Sequence, residues 1–132
     1  MPNLIDTNVV SEVMRRRPTP KVESWFLAEG DFYISPISID EITYGLERQS
    51  LNTKIKWLHK FLSTRCVTLD VSDGIAHRSG AIRGQLASKG IIRSQADMLI
   101  AATAWMHGLT LATRNTRDFE GTGIAVFNPF EG

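Results

Sequence analysis

Apolar residues fall into short blocks, separated by stretches where they recur at helical spacing. "NLI" at residues 3–5 is short and wholly embedded among structure-forming residues, and it reads as an interior strand followed by a helix over 7–15. Thr19 and then Pro20 start a second helix, with Pro at the first helical position and Val22, Trp25 and Phe26 on its inner face. "FYIS" is a second strand punctuated by Pro36, after which Ile39, Ile42 and Leu46 predict a helix over 38–49. Asn52 is placed to cap another helix, whose stripe is Ile55, Leu58 and Leu62 with Phe61 beside it. "VTLDV" is strand-like. Ile75, Ile82 and Leu86 recur over 72–89, where Gly90 stops the run. Residues 94–107 are apolar nearly all round, which predicts a central buried helix ended by Gly108. "LTLAT" and "IAVF" are the last strands, with the turn "RNTRDF" between them. Alternating strands and helices argue for an α/β fold with a mostly parallel sheet, and in such sheets ligands sit beyond the carboxyl ends of the strands.

That order puts acids at the seams. Asp6 directly follows the first strand; Glu41 stands three residues after Ser38, Asp97 three after Ser94, and Asp118 three after Asn115. Each has a purely structural explanation. Ser-x-x-Glu is a capping box, and the helix dipole favours an acid in a first turn by about 0.3–1 kcal/mol. Asp97 opens "DMLIAATAWM", so its carboxylate lies beside a buried element, where desolvation raises its pKa. Capping does not explain why several acids would face one end of one sheet. Crowded like charges repel, and a cation relieves the repulsion. Carboxylates without histidine or thiol partners form a hard-oxygen site that favours Mg²⁺ or Mn²⁺ over zinc. Thr7, Asn8, Thr113 and Asn115 add uncharged polar groups beside the acids, although each alone also reads as a cap or turn former.

Composition narrows the setting. The 132 residues fit one domain, 1–132, with 42% hydrophobic and 22% charged residues, as in ordinary soluble globular proteins. The net charge of +1 does not announce a nucleic-acid partner, but an acidic site masks basic side chains in such a sum. Arg15, Arg16 and Arg17 end the first helix, and Lys89 closes the long one. Arg83, Arg93, Arg114 and Arg117 are, as a set around an acidic centre, the candidate contacts for a polyanion's backbone; singly, each also reads as solvated surface. His59, His77 and His107 lack metal-ligand spacing, and Trp25, Trp57 and Trp105 fall on apolar stripes as core or interface residues. A single cysteine, Cys66, excludes an internal disulfide and a multi-cysteine zinc site, and reads as a buried free thiol. The start "MPNLIDTN" lacks a signal-peptide pattern, and "MLIAATAWM" is half of a membrane span, so a soluble cytoplasmic protein without a membrane partner is expected.

The segments "IDTNVVSE" around Asp6, "SIDEITYG" around Glu41 and "ADMLIAATAWMHGLTLATRNTRDF" from Asp97 past Asp118 resemble the PIN-domain family. Within it they are most similar to the VapC/FitB-like toxins of prokaryotic toxin–antitoxin pairs, and the likeness extends over essentially the whole chain, "VFNPF" included. The resemblance implies a three-layer α/β/α sandwich and an endoribonuclease dependent on Mg²⁺ or Mn²⁺. It implies that Asp6, Glu41, Asp97 and Asp118 are the catalytic and metal-binding acids, Asp6 and Asp97 foremost, with Thr7, Asn8, Thr113 and Asn115 as the supporting polar shell. It further implies a homodimer acting on RNA and neutralised by a small antitoxin in a larger hetero-oligomer, with DNA bound through the antitoxin and not by the toxin directly. Two departures stand out: "GIIRSQAD" lacks the proline many relatives carry there, and Asp40 adds an acid one helical step from Glu41, though the spacing from Ser38 favours Glu41. A catalytically silent PIN-fold scaffold is one alternative. Receiver and haloacid-dehalogenase-type folds fit less well, because Asn8 stands where the latter needs a second Asp and "LATRN" offers no Lys to the former.

Overall fold

Successive strand residues point to opposite faces, so a strand apolar at every position has to be covered twice. The computed structural model describes residues 2–132 and is built this way. The elements in chain order are β1 (Asn3–Ile5), α1 (Thr7–Val13), α2 (Pro20–Glu29), β2 (Phe32–Ile34), α3 (Pro36–Arg48), α4 (Asn52–Thr64), β3 (Cys66–Thr68), α5 (Asp73–Ser88), α6 (Gln95–His107), β4 (Thr110–Ala112) and β5 (Val126–Phe127). A 3-10 turn, Thr116–Phe119, separates the last two strands. Ile5, Phe32 and Ile34 pack on one side with Val10, Val22, Phe26, Ile42 and Leu58, from α1 to α4. Leu4 and Leu111 pack on the other with Ile82, Leu86, Met98 and Ala101, from α5 and α6. Two cores with the sheet between them make the expected three-layer sandwich.

The strand order is β3-β2-β1-β4-β5, and every pairing is parallel, with Leu4 opposite both Tyr33 and Leu111. A mostly parallel sheet was expected; among the described residues it is entirely so. The chain builds outward from β1 to β3, then returns through α5 and α6 to lay β4 on the other side of β1. The point where strand order reverses therefore lies between the carboxyl ends of β1 and β4, and open α/β sheets form their binding crevice there. Close approach of α6 is possible because Ala101 and Ala104 are small and buried in the core with Leu4 and Leu111 of the sheet; Gly108, with φ 63, ends it in the left-handed conformation.

Several boundaries differ from those read off the pattern. α3 starts two residues early, because Pro36 tolerates the first helical position and Ser35 caps it, its Oγ accepting from the Ile37 amide at 3.1 Å. Ser38 is then inside the helix, its Oγ buried without a hydrogen-bond partner, and Glu41 lies in the second turn, outside any capping box. Leu51, not Asn52, occupies the cap position of α4. β3 begins at Cys66 and ends at Thr68, since its partner β2 is only three residues long. α1 stops at Val13, and the corner after it is fastened by Glu12, buried and accepting from the Thr19 amide (2.8 Å) and hydroxyl (2.9 Å). No helix among the described residues is long and apolar enough to cross a membrane.

Candidate active site at the sheet's carboxyl edge

Asp6 is where β1 becomes α1. Its extended backbone (φ −82, ψ 159) still donates to Ala112 O in the sheet, while its carboxylate caps the helix through the Thr7 amide at 2.8 Å. Only 5% of the residue is exposed. The other carboxylate oxygen accepts from the Thr113 hydroxyl at 2.7 Å and from the side-chain Nδ2 of Asn8 at 3.3 Å. Thr113 follows β4, so this bond closes the switch point directly. Its Oγ1 also accepts from Asn8 Nδ2 at 3.3 Å and from the Asn115 amide at 3.1 Å, making it the hub of the polar shell. Burial pushes the Asp6 carboxyl above the ordinary carboxylate range against the bonds from Thr113 and Thr7, and the charges of Asp97 and Glu41 push the same way.

The other three acids converge from separate elements. Glu41 on α3 accepts from the Thr7 hydroxyl at 2.7 Å, so it turns toward the end of β1; Glu41 and Asp40 are both exposed, and it is this bond that ties Glu41 to the site. Asp97 stands in the first turn of α6, its amide donating to the capping Ser94 Oγ at 3.1 Å. Burial raises its pKa too, opposed by Ser94, then reinforced by Asp118 and Glu41 and eased by Arg93. Asp118 sits in the 3-10 turn, whose backbone is tied to Asn115 O at 3.0 Å, and the Asn115 side chain does not cap that turn. Each acid thus lies within electrostatic reach of at least one other. Among the described residues the only ion pair is Arg15–Glu12, outside this group. The carboxylates therefore repel one another with no salt-bridged cation among them. Nor, among the described residues, do any three His, Cys, Asp or Glu side chains close to metal-ligand spacing; hydroxyl and amide donors hold the carboxylates instead.

Residues 4–124 match the family model of the PIN domain. The chain belongs to the PIN-domain family. It is 35% identical to "Toxin FitB" of Neisseria gonorrhoeae, over 96% of this chain and 97% of that protein. It is 32% identical to "VapC ribonuclease Y4jK" of Sinorhizobium fredii, over 97% of each. Among solved structures, the DNA-bound VapBC from Salmonella typhimurium is similar with a TM-score of 0.84 and 30% identity, over 98% of both chains.

Within this PIN fold the expected arginines separate. Arg93 reaches from the loop before α6 to Glu120 O at 3.4 Å and lowers the Asp97 pKa. Arg114 donates its amide to Asn8 Oδ1 at 3.0 Å. Arg83 and Arg117 are exposed and, among the described residues, bond to none of the four acids. Sequence reasoning missed the cleft of about 240 Å³ that opens beside Thr7 and Glu41, with Ser11, Met14 and Gly45 on its wall. The signal was present: Thr7, Ser11 and Met14 are four and three residues apart and Glu41 and Gly45 are four apart, so each set shares a helix face.

Proposed function

We propose that this chain is an endoribonuclease dependent on Mg²⁺ or Mn²⁺ and the toxin of a toxin–antitoxin pair. The observation that carries the proposal is the repulsion between Asp6, Asp97, Glu41 and Asp118 at the switch point, with no salt-bridged cation among them. Folding tolerates such crowding when a cation is the intended occupant. The donor set is all oxygen, which fits a hard divalent ion. Asp6 and Asp97 are the proposed principal ligands, with Glu41 and Asp118 completing the shell. Such an ion, when bound, supplies Lewis-acid polarisation of a phosphate and a water of lowered pKa.

The remaining residues prepare that chemistry. Thr113 and Asn8 fix the Asp6 rotamer, so its ligand oxygen is ordered before substrate arrives. Thr7 holds Glu41 by the same means from the next position in the chain. Arg93 and Arg114, at the edge of the acidic group, are the proposed contacts for RNA phosphates flanking the cut. The names of the FitB and VapC relatives support a toxin that cuts RNA, and the DNA-bound VapBC structure supports a complex with an antitoxin that binds DNA; that a small antitoxin carries the DNA contacts is part of the proposal. A homodimer working in the cytoplasm completes the proposal.

Purified protein incubated with total cellular RNA in Mg²⁺, Mn²⁺ or EDTA tests it, beside Asp6→Asn and Asp97→Asn. Discrete fragments should form with either ion and disappear with EDTA and in both variants. Cleavage that survives both substitutions refutes the proposed acids. No cleavage under any condition moves the silent PIN-fold scaffold ahead.

A further inference from the structure

The segment "NPF" at Asn128–Phe130 follows β5 and contributes none of the acidic residues, yet it is fastened to the loop that borders them. Asn128 Oδ1 accepts from the Phe130 amide at 2.9 Å, folding the three residues into a tight turn. Asn128 Nδ2 donates to Arg114 O at 3.4 Å, and the Phe130 ring lies 4.8 Å from the Arg114 guanidinium carbon. Phe130 is itself partly buried and packed against the core that covers one face of the sheet. Arg114 is thus held at its carbonyl by Asn128, at its side chain by Phe130, and at its amide by Asn8, which also bonds Asp6.

We infer that the Asn128–Phe130 turn positions Arg114, holding its guanidinium at the rim of the acidic site as a contact for a phosphate of single-stranded RNA. The inference rests on the ribonuclease reading above. A guanidinium lying over a ring is not consumed as a hydrogen-bond donor, and its N–H edge matches a phosphate in bidentate fashion. Among the described residues Arg114 has no carboxylate partner, so the edge is not already spent. An exposed arginine ordinarily loses rotamer freedom on meeting its ligand, and a pre-stacked one loses less. Phe130 and Asn128 are on this account positioning residues, acting through Arg114.

The test is binding of a fluorescent twelve-nucleotide oligouridine in EDTA, where no cleavage confuses the readout, across a range of salt. Arg114→Ala should weaken binding several-fold and reduce the log–log salt slope by about 0.7, the value of one single-strand phosphate contact. Phe130→Leu, which keeps apolar filling and loses the ring, should weaken binding about 2- to 5-fold, as expected for an exposed cation–π contact. Phe130→Tyr should restore it. The double variant Arg114→Ala/Phe130→Leu should bind no worse than Arg114→Ala alone, and the ring-current shift of the Arg114 side-chain NMR signals should vanish in Phe130→Leu and persist in Phe130→Tyr. Parental affinity in Phe130→Leu, losses that multiply in the double variant, or no salt-dependent binding by the parent each overturns the inference. Failure of the ribonuclease reading shows separately, as a parent that binds in EDTA but never cuts in Mg²⁺ or Mn²⁺.

Discussion

Replacing Thr113 by Val keeps the outline of a fully buried side chain and deletes one oxygen. That oxygen donates to Asp6 Oδ2 at 2.7 Å and accepts from Asn8 Nδ2 at 3.3 Å and from the Asn115 amide at 3.1 Å. A hydrogen bond to a charged group contributes about 1.5–3 kcal/mol, and the two longer neutral bonds contribute less, so a loss of about 2–3 kcal/mol is expected at neutral pH. With an unfolding entropy of about 0.28 kcal/mol/K for 132 residues, the melting temperature should fall by about 7–11 °C. The loss should also depend on pH. Thr113 lowers the Asp6 pKa, so its bond stabilises the ionised form. That contribution is present where Asp6 is charged and is lost as pH falls through the raised folded pKa. Thermal unfolding of parent, Thr113→Val and Thr113→Ser from about pH 8 down to about pH 4 measures this. Thr113→Ser should track the parent, and the Val deficit should shrink on acidification. A deficit below about 0.5 kcal/mol at neutral pH, or one that does not change with pH, refutes the role given to this hydroxyl.

Asp97→Asn should raise the melting temperature by a few degrees at neutral pH while abolishing cleavage, because burial, Asp118 and Glu41 all disfavour the charged form. Its folded pKa is raised, so ionisation costs stability as pH rises through that value, and the gain of the Asn variant should disappear on acidification. Glu12→Gln should behave oppositely. Burial pushes that carboxyl up, but the Thr19 amide and hydroxyl and Arg15 outweigh it and hold the pKa low. Urea unfolding should show a loss of about 1–2 kcal/mol above the unfolded pKa, vanishing as pH falls through the folded one. Cys66 should resist iodoacetamide at pH values near neutrality in the folded chain and react once unfolded, since burial pushes its thiol up to about 12.

Much of this was legible before any coordinates. Gly108 ended α6 as its left-handed φ requires, and the unbroken apolar run after Asp97 forecast a helix buried against the sheet. Asp6 stood out because an acid directly after an interior strand needs a partner, and the partners turned out to be Thr7, Asn8 and Thr113. What stayed hidden was long-range or a matter of competing local signals. Ser35 and Ser38 are both good caps, and only the tolerance of the first helical position for Pro36 decides between them. The bond from Thr7 to Glu41 spans 34 positions, and no local pattern reports it. The stack of Phe130 on Arg114 is equally invisible to periodicity, because neither residue is in a helix or strand. The strand read at "VTLDV" starts one residue earlier, at Cys66, and stops at Thr68, because an edge strand ends where its partner does.

The bond between Asp6 and Thr113 joins residues 107 positions apart. During synthesis, then, the first of these groups leaves the ribosome long before the other exists, and a prematurely terminated chain carries acids without a centre. The same geometry suits division of the chain. Cut in the loop at 89–93, one fragment keeps Asp6 and Glu41 and the other keeps Asp97, Thr113 and Asp118. Neither fragment holds the whole acidic group, so activity in a mixture would report only that the two have met.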